Sequence, residues 1–210
     1  TTVRGSVPST HGGYNLNWAA GDRIVFLSYM DGWPHLYSMP VDAGRPLLLT
    51  PGNYMAEYVS LSPDRRFLLF AGNAGSHPDD IDRRHLVRVP VDRAMPEVLT
   101  PGTGLEWTPV MTGDNTTIAF ISATPQRPPV VAAMSAADRR VRWMDTTRIP
   151  TTFPTKQLVA PRKVVFSAPD GVQIHAQLFD AQPTRSSLRP AIIYVHGGPP
   201  RQMLLGWHYS

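Results

Sequence analysis

HLYSMPVDAGRPLLLTPG at 35–52 returns fifty positions later as HLVRVPVDRAMPEVLTPG at 85–102, with 10 of 18 positions identical. A repeat of this length constrains the fold more than any local propensity does. Each copy must be one supersecondary unit that buries its apolar face against the next. The match extends beyond the quoted stretch: SPDRRFLLFAG (62–72) lies over TGDNTTIAFIS (112–122), with Asp64 over Asp114 and Phe70 over Phe120. An earlier copy, AAGDRIVFLSY (19–29), is shortened by two residues between Asp22 and Phe26.

Within a unit, short apolar runs alternate with turn residues. Ile24–Ser28, His35–Met39, Leu47–Thr50 and Val59–Leu61 are bounded by MDGWP, TPG and SPD. Runs of this kind predict strands, and Ser or Asp at a turn can hydrogen-bond the local backbone. The chain's 22 prolines and 16 glycines agree with many turns and few helices. Four short strands in about 40–50 residues predict a β-propeller blade. Copies between about 14 and 145 make about three blades, so the expected fold is mainly β, a partial propeller of four-stranded blades.

The repeat also assigns individual residues. His35 and His85 occupy the same place in successive units, which makes them architecture. Trp18 and Trp107, each ahead of an SPD-like turn, are expected to pack between blades. Glu57 and Glu106 fall at near-equivalent points and read as structural. The seven histidines contain no closely spaced pair, and cysteine is absent, so neither a metal site nor a disulfide is expected.

The net charge of +4 does not argue for nucleic acid. The basic residues come in scattered pairs (Arg65-Arg66, Arg83-Arg84, Arg139-Arg140, Arg162-Lys163), several of them beside acids. A nucleic-acid surface needs a contiguous basic stripe with aromatics, so these pairs read as solvated surface. No apolar run reaches the ~18 residues of a membrane span. Thr1 carries neither an initiator Met nor a signal-peptide pattern, so the recorded start is expected to lie inside a longer protein.

After residue 150 the texture changes. RIPTTFPTKQLVAPRKV (148–164) reads as an extended connector, and a boundary near 155 divides the chain into 1–155 and 156–210. RKVVFSAPDGVQIHAQLFDAQ (162–182) predicts a hairpin turning at Asp170-Gly171. After the polar loop PTRSSLRP comes AIIYVHGGPP, whose unbroken apolar run predicts a strand buried on both faces.

Blades with an SPD-x-x-x-(apolar)-x-F unit resemble those of TolB-like and prolyl oligopeptidase-family propellers. The hairpin with DG, the Pro-rich loop, the strand and HGGP resemble the opening of the catalytic domain in the prolyl oligopeptidase family, which includes dipeptidyl peptidases and acylaminoacyl peptidases. That resemblance implies a propeller followed by an α/β-hydrolase domain, and a serine peptidase cleaving short peptides by Ser-His-Asp acyl transfer without a cofactor. It implies that Gly198 supplies an oxyanion-hole N–H, that Gly197 shapes the turn, and that His196 stands where some members use a Tyr hydroxyl.

The nucleophile motif G-x-S-x-G is absent, since RGSVP (4–8) and AGSHP (74–78) both fail, and His175 and His208 are no substitute for triad members. The adjacent Glu pair with which dipeptidyl peptidases hold a free amino terminus is absent too. The chain alone is therefore expected to be inactive, and to need the rest of a parent chain to close the propeller and complete the catalytic domain. Open strand edges make self-association an expectation, and a homo-oligomer is compatible with the resemblance. The same resemblance points to a bacterial periplasm or cytoplasm. The alternative reading is a non-catalytic, TolB-like propeller scaffold.

Overall fold

The computed structural model describes residues 16–42, 44–144, 146–180, 190–197 and 202–207. Twelve strands form three four-stranded antiparallel sheets, each running in chain order. The first holds β1 (Asn17–Ala19), β2 (Arg23–Ser28), β3 (His35–Pro40) and β4 (Leu47–Leu48). The second holds β5 (Ala56–Leu61), β6 (Phe67–Gly72), β7 (His85–Pro90) and β8 (Glu97–Val98). The third holds β9 (Leu105–Met111), β10 (Thr117–Ala123), β11 (Val130–Ser135) and β12 (Val141–Trp143). These are the three expected blades, and the chain is mainly β.

The sequence repeat is a repeat of hydrogen bonds. In the SPD turn, Asp64 Oδ1 accepts from Ser62 Oγ (2.6 Å) and from the Arg66 N–H (3.1 Å). In the TGD turn, Asp114 Oδ1 accepts from Thr112 Oγ1 (2.6 Å) and the Thr116 N–H (3.1 Å). The aspartate supplies the acceptor that a tight turn takes away from the ladder. Arg65 (φ 61°) and Asn115 (φ 59°) take the left-handed position in each.

The LTPG motif recurs likewise. Thr50 Oγ1 accepts the Leu36 N–H and Thr100 Oγ1 the Leu86 N–H, both at 2.9 Å. Each threonine satisfies a buried backbone donor where the two-residue outer strand is too short to do so. The inner strands of the second and third blades bulge at equivalent residues, Tyr58 (φ 50°) and Thr108 (φ 54°).

Packing distinguishes the middle blade. In β6, Leu68 and Phe70 join the core shared with the first blade, while Leu69 and Ala71 face cores shared with the third. All four are fully buried. A strand covered on both faces has no polar side to show, hence the unbroken FLLFAG. The outer blades have one such face each: in β2, Val25 and Leu27 are buried while Ile24 and Phe26 are only partly so.

Trp18 departs from expectation here. It is 52% exposed on β1, whereas Trp107 is buried in the third core. β1 belongs to an outer blade, and its far face meets no sheet among the described residues.

Two short 3₁₀ turns (Thr146–Arg148 and Thr155–Gln157) carry the chain from β12 to the hairpin. β13 (Arg162–Ser167) pairs with β14 (Gln173–Leu178), with Gly171 at φ 87° in the turn. The next expectation fails. Residues 191–197 form no strand among the described residues, and Ile192 is 97% exposed. An apolar run becomes a buried strand only where neighbours accept its N–H and C=O groups and cover its faces. Here none does.

Candidate functional site

The sequence points first to the oxyanion segment. His196 is half-buried, its Nδ1 lying 3.3 Å from its neighbour Gly197's carbonyl oxygen, and Gly197 is exposed. Gly198 and His208 lie outside the described residues. His175 sits in β14 opposite Val165, exposed.

Residues 202–207, just beyond that segment, are anchored. Leu204 and Leu205 are buried, Leu204 within the third core beside Leu105 and Trp107. The Leu205 N–H donates to the Asp82 carbonyl (2.9 Å), and Trp207 packs its ring on Phe153. At Gly206 a β-carbon would lie 3.1 Å from Leu105 Cδ1 and 3.3 Å from the Pro125 nitrogen, so a bare backbone suits this approach.

The receiving surface is the β6–β7 loop, residues 73–84. Its one 3₁₀ turn (Asp80–Asp82) folds the Asp80 carboxylate inward. That carboxylate accepts the His77 N–H (2.9 Å), Arg83 Nη1 (3.2 Å) and His85 Nε2 (3.2 Å). The hairpin joins the same loop from outside, through Lys163 Nζ to the Pro78 carbonyl (2.9 Å) and Asp79 Oδ1 (3.0 Å). Gln177 Nε2 of β14 donates to the Met203 carbonyl (3.0 Å), closing a triangle of hairpin, blade loop and residues 202–207.

Two charge clusters lie beneath. His85 has Asp80 on Nε2 and Glu106 Oε2 3.6 Å from Nδ1. Burial works against the imidazolium, but the nearby carboxylates of Glu106 and Asp80, the latter hydrogen-bonded to Nε2, outweigh it and raise the His85 pKa above its ordinary value. Asp80 is shifted the other way. Burial opposes its charge, but the His77 N–H, His85 and Arg83 together hold it below the usual carboxylate range.

The second cluster centres on Arg84, 2% exposed. Its Nε donates to Glu57 Oε2 (2.6 Å), Nη1 to the Arg83 carbonyl (2.8 Å) and Nη2 to Gln202 Oε1 (3.0 Å). His35 makes the first blade's version of the histidine contact, with Asp31 Oδ2 2.7 Å from its Nδ1.

Arg83 and Arg84 correct the reading of the basic pairs as solvated surface, because both are buried against carboxylates. A signal was available. At the fifty-residue offset this pair lies over Trp33-Pro34, so two charges stand in one copy where the other has two uncharged residues. Gln202 carried no comparable mark. The backbone role of the turn is common to both copies: Pro34 and Arg84 each offer a carbonyl to the next blade, to the Ala56 N–H (2.9 Å) and the Glu106 N–H (2.8 Å).

A cleft of about 690 Å³ opens beside the loop, lined by Tyr54, Asn73, His77, Asp80, Arg83 and His85. Burial raises the Tyr54 pKa to about 12, so its hydroxyl stays protonated. Among the described residues no cluster of His, Cys, Asp or Glu is placed to hold a metal ion. No described helix is long and apolar enough to cross a membrane.

No protein-family model and no curated protein matches the sequence. Solved structures do match by fold. A puromycin hydrolase S511A mutant complexed with PGG superposes with a TM-score of 0.71 at 17% identity, over 90% of this chain and 30% of that one. A puromycin-hydrolyzing peptidase of Mycobacterium tuberculosis gives 0.62 at 18%, over 78% of this chain and 25% of that one. Dipeptidyl peptidase 4 of Porphyromonas gingivalis gives 0.58 at 12%, over 77% and 22%. The chain thus spans under a third of the length of each of these proteins. Its fold, bladed and mainly β, is the one found in these prolyl oligopeptidase-family structures.

Proposed function

We propose that this chain is part of a serine peptidase of the prolyl oligopeptidase family. In this reading residues 1–155 are propeller blades, and 156–210 open an α/β-hydrolase domain with its oxyanion loop. The observation that carries it is the likeness to puromycin hydrolase, which covers 90% of the chain. Residues beyond the three blades are therefore included in the match. His-Gly-Gly-Pro after an apolar run adds the chemistry.

Acyl transfer places negative charge on the scissile carbonyl oxygen, and a fixed backbone N–H holds that charge better than mobile water does. Gly198 would supply one such donor, with Gly197 giving the backbone its close approach. The hydroxyl that attacks, the base that takes its proton, and the carboxylate that orients the base lie in the remainder of the peptidase. There the serine oxygen bonds to the carbonyl carbon, the base protonates the leaving amine, and water releases the acyl group. The substrates are short peptides, admitted past the blades.

Labelling source extract with a tagged fluorophosphonate and capturing with antibody to this chain tests the reading. A labelled band about three times as long as this chain is expected from a full ring of ~40–50-residue blades plus a hydrolase domain. An unlabelled band near 23.2 kDa would reject the peptidase and favour a TolB-like scaffold. In the labelled protein, Gly198→Val should lower kcat by about 10²–10³-fold, the usual loss when one oxyanion donor is removed. Unchanged turnover would remove Gly198 from the site.

A further inference from the structure

We propose that Arg84 and Gln202 form a latch through which the second blade holds residues 202–207 and so restrains His196 and Gly197 just before them, with Arg84 acting as a positioning residue. Burying a guanidinium carries a large desolvation cost before any partner is counted, and an apolar side chain often serves stability as well. The first blade demonstrates that the turn has no need of a charge, because Pro34 fills the equivalent place and makes the same inter-blade backbone bond. Arg84 adds a guanidinium edge, Nη2, directed at a residue 118 positions away.

The partner is shaped to meet it. Gln202 Oε1 accepts from Arg84 Nη2 (3.0 Å), while its Nε2 donates to the Ile81 carbonyl and to Asp82 Oδ1, both at 2.9 Å. The amide works in one orientation only. Flipped, it would set NH₂ against guanidinium and its oxygen against two acceptors, losing all three bonds. Glu57, at 2.6 Å from Nε, fixes the guanidinium plane from the other side. Leu204 and Leu205 then enter the core, and the Leu205 N–H reaches the Asp82 carbonyl.

The mechanical consequence is a short tether. Gly197 lies five positions before Gln202, with four residues between them, so a fixed Gln202 confines Gly197 to within about 17 Å at full extension, and closer otherwise. A blade-borne cation thereby limits where His196 and Gly197 can go. The catalytic consequence rests on the proposed peptidase function. The latch itself does not.

Hydrogen exchange in the 210-residue chain tests the latch directly. Gln202→Ala should speed exchange of the Leu205 and Trp207 amides at least tenfold and leave the Phe70 and Val87 amides unchanged. Arg84→Met should do the same, and combining the two should add little. Unaltered exchange at Leu205 in Gln202→Ala would overturn the proposal, and that variant keeps the test open if Arg84→Met does not fold.

In the longer peptidase, Gln202→Ala should lower kcat about tenfold with KM and the pH profile unchanged. A raised KM at constant kcat would overturn the positioning role. A wild-type protein that labels with no fluorophosphonate would instead remove the peptidase reading, and the exchange result would still decide the latch.

Discussion

Two apolar runs in this chain read alike and end differently. FLLFAG, in β6, is buried on both faces between two neighbouring sheets; AIIYV, at 191–195, forms no strand and stands in solvent. Composition does not separate them. Leu68 and Phe70 have the first blade to pack on and Leu69 and Ala71 have the third, whereas no described residue covers Ile192 or Ile193. An unbroken apolar run announces a strand that needs two covers. It does not supply them.

The sharpest way to break this comparison is to empty the covered side. Phe70→Ala removes a fully buried ring from the core between the first and second blades. The expected loss is about 3–5 kcal/mol in denaturant unfolding. A loss under about 1 kcal/mol would mean that the blades do not pack in solution as they do here.

A smaller effect comes from His85, which pairs with Gly72 at the end of β6 and faces Asp80, Glu106 and, through Asp80, Arg83. Its folded pKa is raised, so its contribution to stability is fully present below about pH 6.5 and is lost as pH rises through the raised value. Asp80 is lowered, so its share is present above about pH 3.8 and is lost as pH falls through the lowered value. Melting temperature should therefore hold between those limits and fall on either side. His85→Gln should remove the alkaline fall; a wild-type curve flat from pH 6 to 9 would contradict the pairing.

The smallest effect belongs to the uncovered run. Ile193→Ser in this chain should change unfolding free energy by no more than about 0.5 kcal/mol, as expected of an exposed side chain. A loss above about 1 kcal/mol would show that the segment is covered in solution, by a second copy or by its own chain.

Much of the blade fold could be read directly. Asp64 and Asp114 each anchor a turn through residues two positions away, and Thr50 and Thr100 each cap a buried N–H fourteen positions back, within a single repeat unit. The histidines were legible for the same reason: Asp31 with His35 and Asp80 with His85 are four- and five-residue contacts. Trp18 was not legible, since its exposure depends on which blade is outermost. Arg84 was misread as surface because its partners, Glu57 and Gln202, lie 27 and 118 positions away. Gln202 has no sequence signature at all, since a glutamine becomes a ligand only by what surrounds its amide.

By itself, then, the sequence determined the repeating unit, its turns, the order of its strands and the Asp-Gly hairpin, all of them matters of short range and period. Tertiary structure alone decided which apolar runs are covered, which arginine is buried, and that residues 202–207 lie against the second and third blades. Burial is a property of neighbours, and the cost of desolvating a charge is set by groups that sequence distance does not bring together.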